Sequence, residues 1–168
     1  MTTTAITVST TRFGELKTDG GHIIEFPRGI LGFESRRRYA LISRPESHPF
    51  VHLQSVDDPG LAFVLVNPRL FFPHYKIEVD PREVAELGST DPGQIESWVI
   101  VTVPEEWARM SANLQGPILV NRAKNIAKQI VLVHGPYTTR HYLLDELQKR
   151  SVASVNTDCT MEQLAEAR

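Results

Sequence analysis

From Ala5 to Val66 the chain alternates short runs of β-branched, aromatic and aliphatic residues with clusters of Gly, Pro, Asp and Ser. Such runs suit half-buried strands, and the intervening residues suit turns. The first three predicted strands are Ala5 to Ser9, Gly14 to Thr18 and His22 to Phe26, with Asp19-Gly20-Gly21 as a tight turn between the second and third. Arg38 to Ser43, Phe50 to Val56 and Leu61 to Val66 follow, and Asp57-Asp58-Pro59-Gly60 makes the last two a hairpin. DPREVAELG, Asp80 to Gly88, carries helix signals instead: a capping Asp80, Pro81 at the first helical position, Glu83 three residues after the cap, and Gly88 as a stop. Strands resume at Ser97 to Val103, Ser111 to Leu114, Ile118 to Asn121 and Lys128 to Val133, interrupted by Pro104 and Gly116-Pro117. A second short helix is predicted from Thr139 in TRHYLLDELQKR, where Leu143, Leu144 and Leu147 share one side.

The pattern describes an all-β fold, mainly β with short helices, in one domain over residues 1–150, with sandwich and barrel both open. From Ser151 to Arg168 a mobile tail is expected, in which Met161, Leu164 and Ala165 have the spacing of a short, partner-stabilised helix.

Composition narrows the function classes. The 168 residues, 41% hydrophobic and 23% charged, are enough to bury a sizeable core. Eighteen basic against twenty acidic residues leave a net charge of -2, which supplies no global attraction for nucleic acid. The one cysteine, Cys159, excludes an internal disulfide framework and a cysteine-based zinc cluster. MTTTAITVSTTR lacks the form of a targeting segment, and apolar runs such as Trp98 to Val103 are too short for a membrane span, so a cytoplasmic protein is expected.

Reaction chemistry finds little footing. His22, His48, His52, His74, His134 and His141 match no metal-ligand motif and read as surface or structural side chains. Ser55 lacks the glycines of a nucleophile elbow, and Asp57 and Asp58 read as turn carboxylates. GELKTDGG and RGILGF lack the glycine spacing and helix of a nucleotide loop. Arg36-Arg37-Arg38 reads as a charged strand entrance. No cofactor is expected. NPRLFFPHY places Phe71, Phe72 and Tyr75 in a proline-bounded connection, where they either plug the core or anchor a protein partner.

Five stretches, TRFGEL at Thr11, FPRGILGFE at Phe26, LQSVDDPGLAFVLVNP at Leu53, FFPHY at Phe71 and NLQGPILVN at Asn113, together resemble the FliW family of flagellar assembly factors. The similarity keeps its order from about Thr4 to His141, and PYTTRHYL carries Tyr142 where the family commonly has Pro. The resemblance implies a compact, barrel-like fold without enzymatic activity or cofactor. It also implies a cytoplasmic protein that binds newly made flagellin and the translational regulator CsrA, an RNA-binding dimer, so that export of flagellin frees the factor to restrain CsrA. In FPRGILGFE the expected role is scaffold: Pro27 stops pairing, Gly29 and Gly32 allow unusual turns, and Ile30, Leu31 and Phe33, next to Phe26, pin the bend. The rival class is a small-ligand-binding β-barrel, marked by a continuous internal cavity.

Overall fold

The computed structural model describes residues 5–152. Its first two strands, β1 (Ala5–Thr10) and β2 (Gly14–Asp19), pair only with each other, with Ala5 opposite Asp19 and Thr10 opposite Gly14. Thr10 Oγ1 closes the turn, donating to the Gly14 carbonyl at 2.9 Å and accepting the Phe13 N–H at 2.7 Å. The expected Asp19-Gly20-Gly21 turn is present as a 3-10 turn whose Gly21 N–H is accepted by the Asp19 side chain at 3.1 Å. It does not join paired strands, because β3 (Ile23–Glu25) leaves the hairpin and pairs with β4 (Arg38–Ser43).

From β4 the chain forms an antiparallel meander through β5 (Val51–Ser55), β6 (Ala62–Val66) and β7 (Glu96–Thr102). The far edge of β7 is shared. Its start pairs with β9 (Ile118–Asn121) and its end with β8 (Ser111–Ala112), which in turn pairs with β11 (His141–Tyr142). β10 (Ile126–Gln129) continues from β9 and returns to β3 in a parallel pairing of Ile126 with Glu25, backed by the Glu25 N–H donating to the Asn125 carbonyl at 2.9 Å. Seven strands, β3, β4, β5, β6, β7, β9 and β10, therefore close into a barrel, and closure removes the free edges that an open sheet would expose.

Alternation along the strands fills the lumen. Ile24, Tyr39, Val51, Leu53, Leu65, Ile118, Val120 and Ala127 meet there with Phe26 and Ile30 from the connecting bend. On β6 and β7 the opposite face is also covered: Val66, Val99 and Val101 pack with Phe71, Phe72, Tyr75, Ala112, Leu114 and Leu143 in an outer core. Burial on both faces explains why AFVLV and WVIV read as continuous apolar runs rather than as clean alternation.

The helix α1 (Pro81–Glu86) has the expected ends. The Asp80 side chain accepts the Arg82 N–H at 2.8 Å, and Gly88 stops it at φ +72°. Lys128 of β10 reaches across to the carboxylates of Glu83 and, at 2.7 Å, Glu86, while Arg28 also meets Glu86 at 3.1 Å. These ion pairs tie the helix to one barrel end, where Asn121 Nδ2 donates to the Leu87 carbonyl at 2.7 Å.

Most strand ends fall within one residue of expectation, the strand expected at Ser111 to Leu114 is cut to Ser111–Ala112, and two boundaries differ more. The strand expected at Lys128 to Val133 runs Ile126–Gln129, because Pro117 has no N–H with which to continue the ladder. Ile130 and Leu132 still donate to the Pro117 and Gln115 carbonyls, at 3.0 and 2.8 Å. The helix expected from Thr139 is α2, residues 143–152, since His141 and Tyr142 are taken up by pairing with Ala112 and Ser111. Residues 151 and 152 remain helical, and the rest of the expected tail, 153–168, lies outside the described residues.

The two glycines of the bend give a graded test. Both have positive φ, +68° at Gly29 and +86° at Gly32, but a Cβ at Gly29 would lie 2.5 Å from the Glu34 Cα whereas one at Gly32 would meet nothing within 4 Å. Gly32→Ala should cost about 1–2 kcal/mol, the left-handed backbone penalty alone. Gly29→Ala should cost clearly more in the same thermal unfolding series, and equal losses would contradict the backbone clash.

Candidate partner-binding surfaces

The bend from Phe26 to Glu34 is held from within and from the barrel. Gly29 N–H donates to the Phe26 carbonyl at 2.9 Å, Phe33 N–H to Ile30 at 2.7 Å, and Phe26 N–H to Arg37 at 2.7 Å. The Gln129 side chain accepts the Leu31 N–H at 3.0 Å, and the Glu34 carboxylate accepts the Gly32 N–H at 3.0 Å, which holds that carboxyl below its ordinary range. Phe26 lies edge-on to Tyr39 with centroids 5.2 Å apart. Ile30 is buried in the lumen, whereas Phe33 meets Phe63 edge-on at 5.3 Å yet stays partly exposed. Leu31 departs from expectation: it is 60% exposed and pins nothing, because the turn centred on it points away from the lumen.

Beside this bend lies the β5–β6 turn, held by two polar residues: Ser55, weighed in the sequence only as a nucleophile, and Gln54, which the sequence reading passed over. Gln54, 1% exposed, directs its Nε2 toward the carbonyls of Ser55, Asp58, Pro59 and Leu61 at 3.1–3.2 Å. Ser55 Oγ accepts the N–H groups of Asp57 and Asp58 at 3.3 and 3.0 Å. Ser55 Oγ thus pairs two main-chain N–H groups of the turn, while the Gln54 amide finds acceptors for its own buried N–H groups among carbonyls of which those of Asp58, Pro59 and Leu61 also accept a main-chain N–H. The signal was a glutamine and a serine immediately before a turn, at the end of the strand VHLQS. Asp57 pairs with Arg38 at 2.8 Å and Asp58 with Arg36 at 3.7 Å, so two of the three arginines in the run and the two carboxylates neutralise each other. Burial pushes the nearby Tyr39 phenol up to about 12.

Phe71, Phe72 and Tyr75 were candidates for an exposed partner anchor. They are buried, at 9%, 7% and 6% exposure, so their rings are not presented to solvent. The connection that carries them folds over the outer face of β6 and β7 and packs them into the outer core. Phe71 stacks on Phe50 and Tyr75 meets Tyr137 edge-on at 4.7 Å. The Tyr75 hydroxyl donates to the Leu114 carbonyl at 2.7 Å, and burial pushes its pKa up.

The histidines are dispersed, and among the described residues no three His, Cys, Asp or Glu side chains are grouped to hold a metal. His52, buried under the first hairpin, lies 3.3 Å from an Arg12 guanidinium nitrogen and edge-on to Phe13, over which Arg44 stacks at 4.4 Å. Burial first, then Arg12 and Arg44, lower its pKa. His141 accepts the Thr138 N–H at 2.9 Å and is likewise shifted down by burial. Both rings serve the packing.

What remains at the surface is aromatic at one place above others. Trp107, in a 3-10 turn between β7 and β8, is 68% exposed, the most exposed aromatic ring among the described residues. Val103 nearby in the same connection is 51% exposed. The sequence reading singled out neither. Among the described residues no helix is long and apolar enough to cross a membrane.

Comparison with known proteins places this geometry among relatives. The family described as "FliW protein" matches residues 7–143. The flagellar assembly factor FliW of Alkaliphilus metalliredigens is 38% identical over 156 residues, covering 92% of this chain and 96% of the relative. That of Ruminiclostridium cellulolyticum is 40% identical over 146 residues, covering 86% and 99%. That of Treponema pallidum is 33% identical over 143 residues, covering 85% and 95%. A crystal structure of the flagellar assembly factor FliW aligns with a TM-score of 0.76 at 35% identity, over 82% of this chain and 96% of that one.

The buried aromatic segment makes its own prediction. Phe72→Ala should destabilise the domain by about 3–5 kcal/mol, the usual cost of emptying an aromatic site in a core. Tyr75→Phe, which leaves the Leu114 carbonyl unpaired, should cost about 1–3 kcal/mol. Unfolding midpoints unchanged in both variants would contradict the burial.

Proposed function

We propose that this chain, which belongs to the FliW family of flagellar assembly factors, works without catalysis or a cofactor as a cytoplasmic binding protein for two partners. One partner is flagellin. The other is the translational regulator CsrA, which the chain antagonises, so that flagellin synthesis follows flagellin export. The observation that carries this reading is the extent of the likeness: relatives 33–40% identical over at least 85% of this chain are themselves flagellar assembly factors.

The architecture is compatible with that role. A closed barrel with a filled lumen is a rigid body, and rigid bodies lose little conformational entropy on binding through their outer loops. The rival reading, a β-barrel for a small ligand, calls for an internal cavity. Here the lumen is occupied by side chains, among them Phe26, Ile30, Tyr39, Leu53 and Leu65, each at most 1% exposed.

Calorimetry with flagellin and CsrA from the same organism, separately and then in competition, tests the reading. Binding to each, with one partner weakening the apparent affinity for the other, is the expected result. Absence of binding to both, with all proteins folded and at tens of micromolar, would overturn it.

A further inference from the structure

The connection between β7 and β8 is unlike the other loops in what it presents. Its sequence, Val103 to Arg109, reads VPEEWAR, and it exposes an indole and a valine to solvent beside two carboxylates. Glu105, Glu106 and Arg109 are all exposed, and among the described residues none of these three side chains makes an ion pair. The cation follows the indole, and both carboxylates precede it. An exposed single apolar residue is ordinary, so exposure alone argues nothing. Three further observations set this turn apart.

The first is rigidity. Arg109 N–H donates to the Glu106 carbonyl at 2.9 Å and Met110 N–H to Trp107 at 3.0 Å. The residues that follow, Ser111–Ala112, are held between β7 and β11, and the Leu143 N–H that opens α2 donates to the Met110 carbonyl at 3.1 Å. Trp107 is therefore fixed at its base while its ring is bare, so little ordering is left for a partner to impose. The second is residue type, because tryptophan leads the side chains that dominate binding energy when covered. The third is charge. Two unneutralised carboxylates next to an apolar ring favour a partner whose own surface carries cations around an apolar recess.

We infer that the turn over Val103 to Arg109 is a docking element for a cationic protein surface with a recess for the Trp107 indole. Of the two partners proposed above, this is the RNA-binding regulator, and the inference rests on that two-partner reading. A protein that binds RNA must carry Lys and Arg to neutralise phosphates, which makes its surface the complement of Glu105 and Glu106. The carboxylates add steering that weakens with salt.

Trp107→Ala and the double variant Glu105→Gln/Glu106→Gln test this, each titrated calorimetrically with CsrA and with flagellin. Because the side chains are exposed, both variants should melt within about 2 °C of the unsubstituted protein. Trp107→Ala should weaken CsrA binding about tenfold or more, as an anchor would, and leave flagellin binding unchanged. The glutamine pair should weaken CsrA binding less and flatten its dependence on salt. CsrA affinity unchanged in both variants would overturn the inference, and so would a loss confined to flagellin. If the unsubstituted protein binds neither partner, the two-partner reading itself fails and this inference falls with it.

Discussion

Much of this molecule depends on the double use of one strand. β7 gives one edge to β6 and divides the other between β9 and β8, so the same seven residues both belong to the barrel and start the outer layer. Its side chains follow suit, Trp98 and Ile100 packing against the lumen core, Val99 and Val101 belonging to the outer core. A residue pointing to one face determines what its neighbours can cover on the other, since a shift of one position would exchange the two faces. Phe71, Phe72 and Tyr75 are buried because the outer face of β7 has to be covered, and the turn that carries Trp107 leaves from the strand's end.

That constraint also separates what the sequence made legible from what it did not. Local signals were readable: Asp80, Pro81 and Gly88 delimit α1, Asp57 to Gly60 turn β5 into β6, and Arg38–Ser43 and Ile118–Asn121 stand where their composition puts them. Non-local choices were not. Nothing in the residues around Gly20 says that β3 abandons β2 for β4, and nothing near Ile126 says that β10 will find Glu25 a hundred residues earlier. Closure of a barrel is a property of the whole sheet, whereas capping is a property of a few adjacent residues.

The candidate surface shows the same division. The aromatic density of FFPHY was visible, but whether such rings plug a core or meet a partner depends on the second face of β6 and β7. Gln54 was overlooked because a glutamine before a turn is ordinary in sequence, and its purpose appears only when four carbonyls of the turn converge on it. Trp107 was overlooked for the opposite reason: a single aromatic residue among charged ones looks unexceptional until its exposure and the rigidity of its turn are seen together. In each case the missing information was tertiary, and the family resemblance supplied an expected role without a location.

The barrel and the outer core form two packed layers, and the proposed partner contacts lie on the outer loops of this scaffold, with the buried aromatics left in place. Amide hydrogen exchange, recorded on the protein alone and saturated with CsrA, tests this arrangement most directly. The expected result is slowest exchange in β6 and β7 in both states, with new protection on binding confined to the turn around Trp107 and its immediate flanks. Faster exchange in β7 on binding, together with new protection at Phe71 to Tyr75, would mean that the aromatic core opens to meet the partner and would contradict the account.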